Sequence, residues 1–197
     1  FLLALIQFSY TQAQEPWVYE NDYSVGRQIL ESYDGGTLLL ATVNWQIGES
    51  KLFKIDRTGL VLWEHTLEEE DNGLLPLCMV EDASGNVFIG GRTHKYVEDK
   101  GDAFLLKLDA CGNFIWFKKH ESDGYMNTTA HIILDTDGSI FILQQLGTSE
   151  GRFTLRKLNS SGEILWTKQH LQEIGGSPDG MIRTSDGGFV LNGTVYV

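Results

Sequence analysis

Lys107-Leu108-Asp109-Ala110-Cys111-Gly112, leading to Trp116, has two counterparts in the chain. Lys54-Ile55-Asp56-Arg57-Thr58-Gly59 leads to Trp63, and Lys157-Leu158-Asn159-Ser160-Ser161-Gly162 leads to Trp166. In each, Lys and Gly stand five residues apart and Gly and Trp four, and the tryptophans fall 53 and 50 residues apart. A second marker lies out of phase with the first: Asp34-Gly35-Gly36, Ser84-Gly85-Asn86, Asp137-Gly138-Ser139 and Asp186-Gly187-Gly188. Its central glycines are 50, 53 and 49 residues apart. Two independent markers with one period define a tandem repeat of about fifty residues.

Both markers read as tight turns, because glycine takes positive φ without steric cost. Asp56, Asp109 and Asn159, each three residues before a turn glycine, are expected to cap local amides rather than to bind metal. Four strands per repeat follow, with inner strands expected at Gln28–Ser32, Leu77–Glu81, Ala130–Leu134 and Met181–Thr184. The second strand of each copy is apolar at consecutive positions: Leu38-Leu39-Leu40, Val87-Phe88-Ile89, Ile140-Phe141-Ile142 and Phe189-Val190-Leu191. Such runs predict burial on both faces, as in a sheet stacked between two like sheets. The expected fold is therefore all-β: a β-propeller of four-stranded antiparallel blades, present as an open arc of about three and a half blades. Within 14–197 the blades are expected at 24–70, 71–123 and 124–173, with a partial blade at 174–197. Trp63, Trp116 and Trp166, with Gly59, Gly112 and Gly162, are the expected structural positions, the indoles filling buried sites between blades.

The second copy runs Asp82-Ala83-Ser84-Gly85-Asn86-Val87-Phe88-Ile89-Gly90-Gly91, then Asp102-Ala103-Phe104-Leu105-Leu106-Lys107-Leu108-Asp109, then Gly112-Asn113 and Trp116. It resembles the repeat of the secreted bacterial seven-bladed β-propeller family, a quinoprotein-like kind of propeller repeat. The resemblance covers roughly 17–197. It implies an exported or surface-exposed repeat within a larger protein, with further blades or domains, since seven blades at this period need about 350 residues. Trp17-Val18-Tyr19 is then expected as the outer strand of a closing blade. Quinone-dependent dehydrogenase propellers resemble the chain less well, because their adjacent cysteine pair is absent, and no cofactor is expected.

The net charge of −12, from 27 acidic and 15 basic side chains, opposes binding to phosphate backbones and anionic lipid, so no nucleic-acid partner is expected. Phe1-Leu2-Leu3-Ala4-Leu5-Ile6-Gln7-Phe8 is too short to span a bilayer. With Thr11-Gln12-Ala13 after it, it reads as the remnant of a signal peptide over 1–13, giving a secreted or cell-surface protein without membrane insertion. Cys78 and Cys111 are expected on a strand and in a turn, too far apart to bond.

No nucleophile elbow, phosphate loop, zinc-protease helix motif or calcium-loop series occurs, so no catalytic, metal or cofactor residue is assigned. His65, His120 and His170 recur near the repeat tryptophans and read as structural, and His131 reads as packing. Turns at one end of the repeat are constant, whereas the loops at the other end differ freely. That pattern predicts a scaffold with one ligand face, where Trp45, His94, Tyr96 and Tyr125 are the candidate contacts. The expected function is a non-enzymatic interaction or scaffold module for a protein or carbohydrate ligand. The alternative is a secreted propeller enzyme, a polysaccharide hydrolase or lyase, whose catalytic carboxylates would converge on the inner strands.

Overall fold

A computed structural model describes residues 25–69, 72–94, 101–120, 127–147, 152–170 and 175–196. The expected signal remnant 1–13, the strand Trp17–Tyr19, Tyr96 and Tyr125 lie outside them. The described residues contain β-strands and turns and no helix, and every strand pairing is antiparallel.

The strands form consecutive units in chain order. Unit 1 is β1 Val25–Glu31, β2 Thr37–Asn44, β3 Glu49–Ile55 and β4 Val61–Glu69. Unit 2 is β5 Asn72–Glu81, β6 Val87–His94, β7 Ala103–Leu108 and β8 Phe114–His120. Unit 3 is β9 Thr128–Leu134, β10 Ile140–Leu146, β11 Arg152–Leu158 and β12 Ile164–His170, and unit 4 is the pair β13 Gly175–Arg183 and β14 Phe189–Tyr196. Every neighbour in a sheet is also a neighbour in sequence. Units 1 and 2 are joined into one eight-stranded order by two rungs, Glu68↔Gly73 and Glu69↔Asn72. The strands on either side of this junction run to Glu69 and from Asn72.

The units pack face to face. Leu38, Leu40 and Leu52 of unit 1 meet Met79, Val87, Ile89, Phe104 and Leu106 of unit 2 in one buried cluster. Phe88 and Leu105, on the opposite face of unit 2, meet Ile132, Ile140, Ile142 and Leu158 of unit 3. Phe141, Leu143, Phe153 and Leu155 then meet Met181, with Phe189 and Leu191 at the edge. Side chains alternate between the faces of a strand, so a three-residue apolar run serves two neighbours at once. Unit 4 departs from this expectation: Val190 is 53 % exposed and Ile182 62 %, because no described residue covers that face.

The capping side chains act as the spacing predicts. Asp56 Oδ1 accepts from the amides of Thr58 and Leu60 at 2.8 and 2.9 Å. Asp109 Oδ1 accepts from Cys111 and Asn113 amides at 2.8 Å each, and Asn159 Oδ1 from Ser161 and Glu163 amides at 3.0 and 2.9 Å. Gly59, Gly112 and Gly162 follow at φ of 91°, 81° and 78°.

All four inner strands start earlier than expected, and β5 and β13 do so by running through Pro76 and Pro178. Each carries a bulge at the same repeat position, with register shifts at Gly26/Gln28, Pro76/Cys78 and Pro178/Gly180, and between the β10 partners of Thr129 and His131. Proline lacks an amide to donate and is tolerated at a bulge. Pro76 lies opposite Gly91 and Pro178 opposite Gly193. A Cβ on Gly91 would stand 2.7 Å from Pro76 Cα, so the facing glycine is what lets the proline into the strand.

Candidate functional site

Constant turns and varied loops occupy opposite ends of the units. Antiparallel order places the turns 32–36, 56–60, 82–86, 109–113, 135–139, 159–163 and 184–188 at one end. The turn 45–48 falls at the other, as do the facing strand ends Glu69 and Asn72, His94 and Ala103, His120 and Thr128, Leu146 and Arg152, and His170 and Gly175. The loop-bearing end is also where β1, β6 and the 45–48 turn meet.

That turn is fixed from several sides. Asn44 Oδ1 accepts from the Gln46 amide at 3.0 Å, and Gly48 adopts φ 67°. Gly48 seats directly on unit 2: a Cβ there would stand 2.7 Å from His94 Cβ and 2.9 Å from Gly73 Cα. His94 Nε2 lies 3.0 Å from the Gln46 carbonyl, to which it donates. Trp45, within this turn, is 49 % exposed. Arg27 Cζ stands 4.8 Å from its ring centroid and Arg92 Cζ 5.8 Å. Both arginines are half-buried. Burial, and then the neighbouring Arg92 guanidinium, holds Arg27 below its ordinary value.

Arg27 reaches this place because it is the extra residue of the β1 bulge, between Gly26↔Ala41 and Gln28↔Leu40. Its Nε donates to Thr42 Oγ1 at 3.0 Å. Thr42 and Ser50 hydroxyls lie 3.2 Å apart, and Ser50 Oγ donates to the Leu74 carbonyl of unit 2 at 2.8 Å. Thr42 and Ser50 are buried, so this chain of bonds ties the arginine to both units. Arg92 and His94 are two apart on β6 and share one face. The structure thus places Trp45 and His94 at one turn and sets Arg27 and Arg92 beside the indole, two residues that carry no distinguishing mark in the sequence.

The inner strands are a different matter. A cavity of about 240 Å³ is lined by Arg27, Gln28, Leu77, Cys78, Met79, Val80, Ala130, His131 and Ile132. Its polar groups are engaged in joining units. Gln28 Oε1 accepts from the Met79 amide at 2.6 Å, Cys78 Sγ donates to Thr129 O at 3.6 Å, and His131 Nε2 donates to Asp179 O at 2.7 Å. Gln28, Cys78 and His131 occupy one repeat position, seven residues before the turn glycine. Each reaches the main chain of the following unit beside its bulge. Burial pushes the Cys78 thiol up to about 12, far from a nucleophilic thiolate. Cys78 is buried and free, and Cys111 is exposed and free.

His65 and His120 also serve the joints. His65 Nε2 contacts Cys111 O at 3.3 Å. His120 is buried, with Gln144 Nε2 2.9 Å from its Nδ1, and burial lowers its value to about 4. It is neutral at physiological pH. Trp63, Trp116 and Trp166 hold equivalent places but are half-buried, each lying against the edge of one inter-unit cluster. The outer flanks of Trp63 and Trp116 are met by the next repeat's turn: a Cβ on Gly112 would stand 3.2 Å from Trp63 Cζ3, and one on Gly162 3.1 Å from Trp116 Cη2. The full burial expected of the indoles is replaced by this glycine seat. Among the described residues, no group of three or more His, Cys, Asp or Glu side chains is arranged to hold a metal.

No known family model matches the chain, and no curated protein matches it. The chain is similar to a solved structure, a protein of unknown function from Bacteroides caccae, at 12 % identity and a TM-score of 0.33. The similarity covers 81 % of this chain and 72 % of that one.

Proposed function

We propose that units 1 to 3 are blades of a propeller and unit 4 the inner half of another, forming an exported or cell-surface module that binds without turnover. The observation that carries this reading is the convergence of Trp45, His94, Arg27 and Arg92, drawn from two units, at the end where the loops vary. Varied loops on a repeated scaffold are the usual setting of a binding face. On the inner strands, the repeated polar side chains Gln28, Cys78 and His131 are committed to the joints. The ligand face takes a protein or carbohydrate, and the open flank of unit 4, with Ile182 and Val190 exposed, suits the packing of a further unit.

The test is turnover. The purified chain is incubated with a panel of neutral and acidic polysaccharides, and new reducing ends and unsaturated uronate products are measured. The binding-module reading expects neither to rise above a heat-denatured control. Product that grows with active chain and time would establish the hydrolase or lyase alternative and sink this reading.

A further inference from the structure

We propose that Arg27, Trp45 and Arg92 form a platform for an acidic carbohydrate, a uronate-bearing chain whose sugar ring lies on the indole and whose carboxylate is held by the guanidinium forks. This inference rests on the binding-module reading and gives it a ligand class.

Charge is the first ground. The chain carries net charge −12, yet here two guanidinium groups converge on one indole. Two like charges at a half-buried site repel, and burial makes the repulsion costlier than in water. Arg27's contacts are the Thr42 hydroxyl, the Trp45 ring and the opposing field of Arg92. Among the described residues no carboxylate pairs with it. An anion arriving from outside supplies a counter-charge for Arg27, and a guanidinium meets a carboxylate through two parallel N–H···O bonds.

Shape is the second ground. Trp45 keeps about half its surface in water although its turn is fixed by Gly48, Gly73 and His94. A rigid indole offers a flat apolar face at little entropic cost on binding. A pyranose ring presents a matching face of C–H groups and, in a uronic acid, carries its carboxylate at the ring edge. An acidic peptide offers the carboxylate but no flat ring to cover the indole. The bulge, the Thr42–Ser50–Leu74 chain of bonds and the Gly48 seat hold the platform in place before ligand arrives, so the ordering cost is small.

The test uses the full chain and titration calorimetry with three probes: an oligogalacturonate, the uncharged oligogalactose of equal length, and polyglutamate. Expected is binding of the oligogalacturonate alone, weakening with added salt. Trp45→Ala should abolish the signal, and Arg92→Gln should weaken it at least about tenfold, the loss of one charge-assisted pair. Arg27→Lys keeps the charge but removes the fork, and should also weaken binding. Near-ultraviolet circular dichroism confirms that each variant folds. Should a variant not fold, the Trp45 indole N–H resonance in the unaltered chain must still shift on adding oligogalacturonate. Polyglutamate binding as tightly, oligogalactose binding as tightly, or indifference of the Trp45 resonance would each overturn the ligand assignment. Those outcomes leave the binding-module reading standing, because only turnover removes it.

Discussion

At the scale of single residues, acid sensitivity divides between two kinds of group. His120 is held down to about 4 by burial, by Arg156 and by Lys118, against an ordinary value of 6.5. Its folded value is the lower one, so the unfolded chain takes up the proton first. Stability is whole above about pH 6.5 and declines as the pH falls towards about 4. Asp56 and Asp109 behave differently. Hydrogen bonds from the Thr58 and Asn113 side chains, then from turn amides, hold them below the ordinary 3.8. Their contribution is present above that value and is lost as the pH falls through their lowered ones. The melting midpoint of the chain should therefore fall in two stages. His120→Gln should flatten the first stage and leave the second. The pair Asp56→Asn and Asp109→Asn should reduce the second without abolishing it, since Asp34, Asp135, Asp137 and Asp186 are also held low and Asn159 performs the same cap in unit 3 without a charge. A single-stage profile in the native chain would contradict the division.

At the scale of elements, the bulge explains both what the sequence reveals and what it hides. The turns were legible because their chemistry is local: an Asp or Asn, then a glycine with φ near 80°. The second strands were legible because each apolar run serves two faces. Two of the inner strands, β5 and β13, are expected too short because Pro76 and Pro178 look like strand breakers until Gly91 and Gly193 are seen opposite them. That pairing spans fifteen residues and leaves no local trace. The site was half legible for the same reason. Trp45 lies in a turn of distinct composition and His94 is the last residue of β6, not a loop residue, whereas Arg27 and Arg92 are strand arginines like any other until the fold brings them to the indole. Two glycines give a measurable contrast. Gly91→Ala forces a Cβ into the Leu75–Pro76 backbone and should cost about 2–4 kcal/mol in chemical denaturation. Gly187→Ala meets nothing within 4 Å and has only its φ of +83° to overcome, so about 1–2 kcal/mol is expected. Equal losses would mean that the close approach at the bulge is not a constraint.

At the scale of the whole molecule, stability depends on what covers each unit. Unit 2 is buried against unit 1 on one face and unit 3 on the other, whereas unit 4 leaves Ile182 and Val190 in water. Amide hydrogen exchange should accordingly be slowest in β6 and β7 and fastest in β13 and β14; uniform protection would show one indivisible core. Trp116→Ala, which opens the joint beneath Gly162, should cost about 2–4 kcal/mol and speed exchange in units 2 and 3 before unit 1. The joints have a further consequence for descent. Gln28, Cys78 and His131 all bind main-chain atoms of the following unit, so each copy recognises its neighbour's backbone and not its residues. A gene segment duplicated in tandem can then drift in sequence without losing its fit, and a copy can be gained or lost by unequal crossing-over. A chain with 71–123 excised tests this: Gln28 should find the Ile132 amide in place of that of Met79, and melting should stay cooperative at a lower temperature. Failure of that shortened chain to fold would mean that each copy has become bound to its own place in the order of inheritance.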